Sequence, residues 1–362
     1  MARTFLLALV GFGLCLHHRA RADEPTSFPR TKAPQVQGTV ERAIGYLQKA
    51  SADWLRTRKC AACHHVPMPL WALSEAERQG YSIDKEFVAR TAESLLGSKD
   101  KLLASKIFPN PADPPDPRPQ ARGLNMGLPF LAVAARSLPT LNEGEKRSLK
   151  LIMEEIVKKQ QSDGSWEFFA TLRRPPINES QTTDAAWIIM ALDANTGPDA
   201  PESQRGALKK SVAWLAKAQR SDDVQDKVLN LLLAVRAGKS GNDLRIAIDA
   251  LLSRQRADGG WSQTAAMASD AFATGQALYV LSLAGRAAER PDMNRAVDFL
   301  VATQKSDGTW PMKSRSTPDG KPGSAKDLGP ITCAASSWAT LGLARVQPQR
   351  RQVEDGSSLK SR

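Results

Sequence analysis

Apolar residues recur at helical spacing along most of the chain, in segments of two alternating kinds. The first kind carries one apolar stripe and starts at polar or proline signals, which is typical of helices with one buried face. These segments are 38–50, 84–104, 143–160, 202–219, 243–255 and 291–304. The second kind is apolar nearly all round and rich in small residues, which predicts interior helices. These segments are 65–79, 124–137, 182–195, 224–237, 269–286 and 331–346. The pattern therefore predicts an all-α fold of six helix pairs.

Three of the first-kind segments end in the same pattern of Gln, Asp, Gly and Trp within seven residues. Asp-Gly is a turn signal, because Gly accepts a positive φ and Asp bonds its own downstream backbone. A pattern of four fixed positions that recurs three times predicts a repeat architecture. The copies are Gln160, Asp163, Gly164 and Trp166; Gln255, Asp258, Gly259 and Trp261; and Gln304, Asp307, Gly308 and Trp310. Two weaker copies run from Gln48 to Trp54, without Asp-Gly, and from Gln219 to Asp223, without Trp.

These copies resemble the QW repeat of the squalene-cyclase and prenyltransferase superfamily, and the resemblance covers residues 37–346. It implies an α/α toroid of about six outer plus six inner helices. It leaves catalysis undecided, because this chain departs from both chemistries of the superfamily. The nearest stretch to the cyclase Asp-x-Asp-Asp acid motif has Arg220 at the first Asp position, and no histidine follows His65 to complete a prenyltransferase zinc site.

The two ends of the chain differ from the part between them. Residues 1–22 have a charged start, a short apolar stretch and a small-residue cleavage site, which predicts a signal peptide and export to the periplasm or medium of a bacterium. We expect a flexible segment at 23–36, the toroid domain at 37–346 and a disordered polar tail at 347–362. No transmembrane segment is expected in the mature chain.

The composition is basic, with a formal net charge of +12 for the whole chain. Loss of the signal removes three arginines and leaves +9. This charge favours an anionic surface or substrate, although a solvated basic surface is the simpler explanation. The expected partner is a redox protein or a hydrophobic or anionic small molecule. No Lys/Arg cluster interleaved with aromatics is present, so no nucleic-acid partner is expected.

One local motif indicates specific chemistry. Cys60-Ala61-Ala62-Cys63-His64 matches the C-x-x-C-H signature of c-type haem attachment, with two thioethers and His64 as proximal iron ligand. It predicts a haem c cofactor, electron transfer to a redox partner, and Cys333 as a buried remaining thiol. Two other interpretations stay open: a Cys60–Cys63 disulfide or redox pair, and a zinc site that adds His65.

Polar residues or a thiol lie near the start of each second-kind segment: His65, Asn125, Asp184, Lys227, Asp270 and Cys333. In a toroid these starts would converge, so we expect a polar mouth at one end of the central cavity. Helix capping is the simpler explanation for Asn125, Asp184 and Asp270 taken singly. Asp184 and Asp270 are also candidates for an acid–base pair on a glycosidic bond. The expected function is haem-dependent electron transfer, with a non-catalytic binding scaffold or a terpenoid- or polysaccharide-acting enzyme as alternatives.

Overall fold

The computed structural model describes residues 28–58, 60–61, 64–112, 123–168, 176–177, 179–312 and 325–349. Within these residues the protein has thirteen α-helices and no β-strand longer than an isolated bridge. The helices are α1 (Ala33–Arg58), α2 (Pro67–Arg78), α3 (Lys85–Leu96), α4 (Lys99–Ala104), α5 (Gly127–Ser137), α6 (Glu143–Lys158), α7 (Gln181–Asn195), α8 (Glu202–Lys217), α9 (Val224–Arg236), α10 (Gly241–Leu252), α11 (Ala271–Leu283), α12 (Pro291–Thr303) and α13 (Ala325–Val346). The all-α prediction is confirmed.

Six helices form a closed inner ring in the order α2, α5, α7, α9, α11 and α13. Each packs against the next, and α13 returns to pack against α2. The outer helices α1, α3, α6, α8, α10 and α12 alternate with them along the chain, as expected for an α/α toroid. Helices α11 and α13 approach most closely at Gly275, where a Cβ would lie 2.4 Å from the carbonyl carbon of Trp338. Only glycine fits at that position.

Some helix boundaries differ from the predicted ones. The segment 84–104 is two helices, because Ser98 adopts an extended backbone and its hydroxyl accepts a hydrogen bond from Lys101 N, which starts α4 afresh. Helix α1 begins at Ala33, within the segment expected to be flexible, and α13 begins six residues before position 331. The signal-peptide prediction concerns residues outside the described part. No described helix is long and apolar enough to cross a membrane.

The first full motif copy joins neighbouring outer helices. Gln160 Nε2 donates to Gly164 O at 3.1 Å within the motif and to Ala207 O of α8 at 2.9 Å. Trp166 Nε1 donates to Ile156 O, ten residues earlier, at 2.9 Å. The Gln160 amide therefore links its own turn to α8, the next outer helix. The Trp166 indole links the same turn to α6, the helix that precedes it.

The other two copies repeat these bonds. Their Gln amides and Trp indoles have the same kinds of acceptor, namely Gly259 O, Asp292 O and Leu251 O in the second copy and Gly308 O, Thr39 O and Leu300 O in the third. Because Thr39 belongs to α1, the third copy joins the last outer helix to the first. Gly308 has a φ of 85°, and a Cβ there would lie 2.3 Å from Arg42 O, so α1 also packs directly on this turn.

The weak copies differ from each other. Gln48 Oε1 accepts a hydrogen bond from Asp84 N at 2.9 Å and so still reaches the start of the next outer helix, α3. Gln219 is exposed, and its side chain makes no hydrogen bond to the described residues. The next outer helix, α10, buries only Leu251. The link between outer helices is therefore missing between α8 and α10.

Candidate functional site

Aromatic side chains from five of the six inner helices meet inside the ring. Trp71 of α2 lies 5.9, 5.5 and 5.1 Å, centroid to centroid, from Trp187, Tyr279 and Trp338. Phe130 of α5 lies 4.2 Å from Trp187. We call these five residues the aromatic cluster.

The rings of the aromatic cluster are almost wholly covered by protein atoms. Its members are between 0 and 6% exposed. Edge-to-face and tilted contacts at these separations add to the gain from burial. The indole Nε1 atoms of Trp187 and Trp338 have no hydrogen-bond partner among the described residues. Side chains therefore occupy the region around which the inner helices pack.

A buried ion-pair network lies beside the aromatic cluster, near the carboxyl ends of α2 and α13. The carboxylate of Glu75 accepts from Arg345 Nη1 at 2.7 Å and from Arg78 Nη2 at 2.5 Å. Burial alone would raise the pKa of Glu75, but hydrogen bonds from Arg78, Gln79 and Arg345 outweigh it and lower the pKa. The guanidinium of Arg345 also lies 5.8 Å from the centroid of the Tyr279 ring. The network therefore ties α2 to α13 at this end of the inner ring.

Asp270 is a half-buried acid at the start of α11. It caps that helix by accepting from Ala273 N at 2.9 Å, and its other oxygen accepts from Gln263 Nε2 at 3.1 Å. Burial raises the pKa of Asp270 to about 6, although these hydrogen bonds act in the opposite direction. The Oε1 atom of Gln263 is buried and has no partner in the described part. The Asp270 carboxyl can therefore carry a proton near neutral pH.

Asp184, the other candidate acid, lies half-buried in the first turn of α7. Ser180 caps that helix, so the capping role expected for Asp184 belongs to Ser180. Helix α9 stands between α7 and α11 in the inner ring, so the two candidate carboxylates lie on helices that flank it. Asp226 of α9, which the sequence did not single out, accepts from Thr182 Oγ1 at 2.9 Å and from Arg220 Nε at 2.8 Å.

The remaining residues expected at the cavity mouth have local partners or are buried. Asn125 Oδ1 accepts from Gly127 N at 2.9 Å in the turn before α5, but the N-cap position is Met126, so Asn125 is not the expected cap. Lys227 Nζ pairs with Asp222 at 2.8 Å. Cys333 is fully buried, and burial raises the pKa of its thiol. It lies more than two turns inside α13 rather than at its start, because the helix begins earlier than the apolar pattern indicates.

The two adjacent histidines form an aromatic group with the end of α1. His65 stacks on Trp54 with ring centroids 3.9 Å apart and planes 11° from parallel. The ring of His64 lies 5.0 Å from His65 and 6.2 Å from Trp54. Arg58 covers the Trp54 ring at 5.6 Å. Cys60 is a half-buried free thiol in a bend beyond α1, not on the helical turn that the attachment motif suggests.

Both imidazoles are neutral at physiological pH. Burial lowers the pKa of His64 to about 4 and that of His65 to about 3, and the latter is lowered further by His64 and Arg58. The neutral imidazole is the form that binds metals. His65 Nδ1 is buried without a partner among the described residues. Cys63 lies outside the described residues, and no cluster of three or more His, Cys, Asp or Glu within the described part could hold a metal ion.

An open groove of about 420 Å³ lies between the end of α8 and the start of α7. Its lining includes the half-buried Trp214, the exposed Gln219, and polar groups of the flanking chain. Those groups are Ser180, Gln181, Arg220 and Ser221. Hydrogen bonds from the backbone and side chain of Ser165 lower the pKa of Asp163, and the neighbouring Trp214 indole acts in the same direction. We call this region the Trp214 groove.

Comparisons with known proteins agree with this architecture. Residues 219–358 match the squalene-hopene cyclase C-terminal domain family. The type II terpene cyclase MstE from Scytonema, in an arginine-to-alanine variant bound to geranylgeranyl dihydroxybenzoate, superposes with a TM-score of 0.52 at 13% identity over 87% of this chain and 98% of that one. The ligand-free enzyme gives a TM-score of 0.50 at 12% identity over 87% of this chain and 99% of that one. The search of curated proteins finds no relative.

The closed inner ring, the outer helices that alternate with it and the Gln–Trp motifs give an α/α toroid fold like that of the squalene and terpene cyclases. At this level of identity the structural likeness establishes the fold and not the activity.

Proposed function

We propose that this chain is an exported toroidal binding scaffold that does not enclose a terpenoid for catalysis. The aromatic cluster carries the proposal, because its five rings contact one another inside the inner ring and are at most 6% exposed. Small-molecule sites are usually clefts of about 300–1,000 Å³, and a geranylgeranyl chain needs such a volume. Opening one here would require several buried indoles to move together.

The polar residues support the same conclusion. The stretch nearest to the cyclase acid motif begins with Arg220, whose Nε donates to the buried Asp226 at 2.8 Å. That carboxylate therefore already has a cationic partner. Asp270, whose pKa burial raises to about 6, already accepts hydrogen bonds from Ala273 N of α11 and from Gln263 Nε2.

Two measurements test this proposal. Crystals of the wild-type protein under xenon pressure should show no bound gas among the five rings, whereas Trp338→Ala should bind xenon in the space the indole leaves. Purified protein incubated with squalene and with geranylgeranyl dihydroxybenzoate should return both unchanged. Xenon inside the wild-type ring, or cyclised product that Asp270→Asn abolishes, would overturn the scaffold proposal.

A covalently attached haem is a second candidate function, favoured by the neutral imidazole of His64. Cys60 and Cys63 would form the thioethers and His64 would bind the iron, with Trp54 and His65 packed beside it. The half-buried Cys60 thiol and the lowered pKa of His64 both suit this role. A bound haem supplies one-electron transfer; the chain's own contribution is to hold it beside an apolar, aromatic surface.

Co-expression with haem-maturation machinery tests this candidate. The purified protein should show a Soret band that survives acid-acetone extraction, because thioethers are covalent. Cys60→Ala with Cys63→Ala should abolish that band, and the matched control Cys333→Ala should retain it. A colourless protein with the mass of the bare polypeptide would rule out haem attachment without affecting the scaffold proposal.

A further inference from the structure

We propose that the Trp214 groove binds a neutral oligosaccharide chain. This inference rests on the proposed scaffold function and names the class of ligand that the scaffold holds. The groove of about 420 Å³ lies on the outside of the ring, where an extended chain has access. It combines an indole with uncharged hydrogen-bonding groups, and sugar rings present matching surfaces of C–H groups and hydroxyls.

Trp214 provides the apolar surface. Six of the eight tryptophans are at most 6% exposed, and a seventh, Trp54, has its face covered by His65. Trp214 remains partly exposed and lines the groove. An aromatic ring whose apolar body is partly open to solvent suits stacking against a pyranose ring.

The side-chain amide of Gln219 provides hydrogen-bonding groups for the sugar. The repeat pattern shows why this amide is not bonded to another helix. In the three full copies the Gln amide donates to the motif Gly carbonyl and to the next outer helix, as Gln160 does. In this copy Asp223 occupies the Gly position and no Trp follows, so the turn is not formed. The Gln219 amide therefore keeps two donors and an acceptor for a ligand, which complement adjacent sugar hydroxyls.

The charges around the groove favour a neutral ligand over an anionic one. Arg220 is paired with Asp226, and Asp222 is paired with both Lys227 and Arg254. No unpaired guanidinium or ammonium among the lining residues is left to neutralise a carboxylate or phosphate. The hydroxyls of Ser180 and Ser221, next to the Gln181 amide, are again groups that bind hydroxyls.

Isothermal titration with four neutral hexasaccharides tests the inference: β-1,4-linked glucose, mannose and N-acetylglucosamine, and α-1,4-linked glucose. We expect saturable binding of at least one, weakened about tenfold or more by Trp214→Ala and substantially retained in Trp214→Phe. Gln219→Ala should also weaken binding without changing the melting temperature, since that side chain holds no other helix. The matched control is Val212→Ala, because Val212 is 50% exposed on the same helix and lies outside the groove lining.

Three outcomes would overturn the inference. They are no binding of any of the four sugars by the wild-type protein, binding that survives both Trp214→Ala and Gln219→Ala, and tighter binding of an oligogalacturonate of equal length, which would assign an anionic ligand. None of these results alters the xenon or turnover measurements, so failure here is distinguishable from failure of the scaffold proposal.

Discussion

Replacing Gln304 by alanine should weaken the ring at its point of closure. The substitution removes the donations from Nε2 to Thr39 O at 2.9 Å and to Gly308 O at 3.2 Å. Each half-buried hydrogen bond contributes about 1 kcal/mol, so we expect the free energy of unfolding to fall by about 2 kcal/mol. The lost contacts with the Arg42 guanidinium add little, because that group is exposed to solvent.

Gln160→Ala is the matched control, because it removes the same two kinds of bond between helices that are close in sequence. Urea denaturation should give similar losses of stability for the two variants. Hydrogen exchange should separate them: in Gln304→Ala the amides of α1 should exchange faster at unchanged pH, since α1 has lost its link to α12. Unchanged stability, or equal acceleration of α1 in both variants, would refute closure of the ring by this side chain.

Two further predictions concern single side chains. Trp261→Ala should destabilise the protein by about 3–5 kcal/mol in thermal melts, because the indole is fully buried and donates to Leu251 O; a loss below about 1 kcal/mol would contradict a structural role for the motif. Burial raises the pKa of Asp270 from 3.8 to about 6. Between these pH values the folded protein holds a proton that the unfolded chain has released. The free energy of unfolding should therefore fall as the pH rises through this range, by about 3 kcal/mol in total. Asp270→Asn keeps a good cap and should remove that part of the slope in urea titrations at pH 4 and 7; identical slopes for variant and wild type would refute the raised pKa.

Helical spacing predicted the elements well because it depends on neighbours only a few residues apart. All six predicted helix pairs are present. The errors lie at the helix ends, where capping residues determine the boundary. Ser98 interrupts one predicted helix, and α13 starts before the segment whose apolar pattern is clear. The predicted position of Cys333 at the start of the last inner helix was wrong for that reason. The helix start itself had been placed too late in the sequence.

Contacts between distant residues could not be read from the sequence. The Gln–Trp spacing shows that a turn exists, but the second acceptor of Gln304 is Thr39, on a helix 265 residues away. The aromatic cluster was missed for the same reason. Its members are spread between Trp71 and Trp338, and an aromatic content of 6% gave no sign that they meet. At least one aromatic in each of five apolar helices was the available signal.

The copy at Gln219 explains why binding is expected on the rim of this toroid rather than in its centre. A repeat protein is stable as the sum of its units and their interfaces, so one interface can be given up if the others hold. The three full copies and the bond from Gln48 to α3 each reach the next outer helix, whereas the Gln219 side chain bonds no other helix in the described part. The Gln219 amide lies beside the Trp214 indole in the groove, while the five rings at the centre are at most 6% exposed. The place where the repeat fails is therefore the place where an amide and a partly exposed indole are left for a ligand.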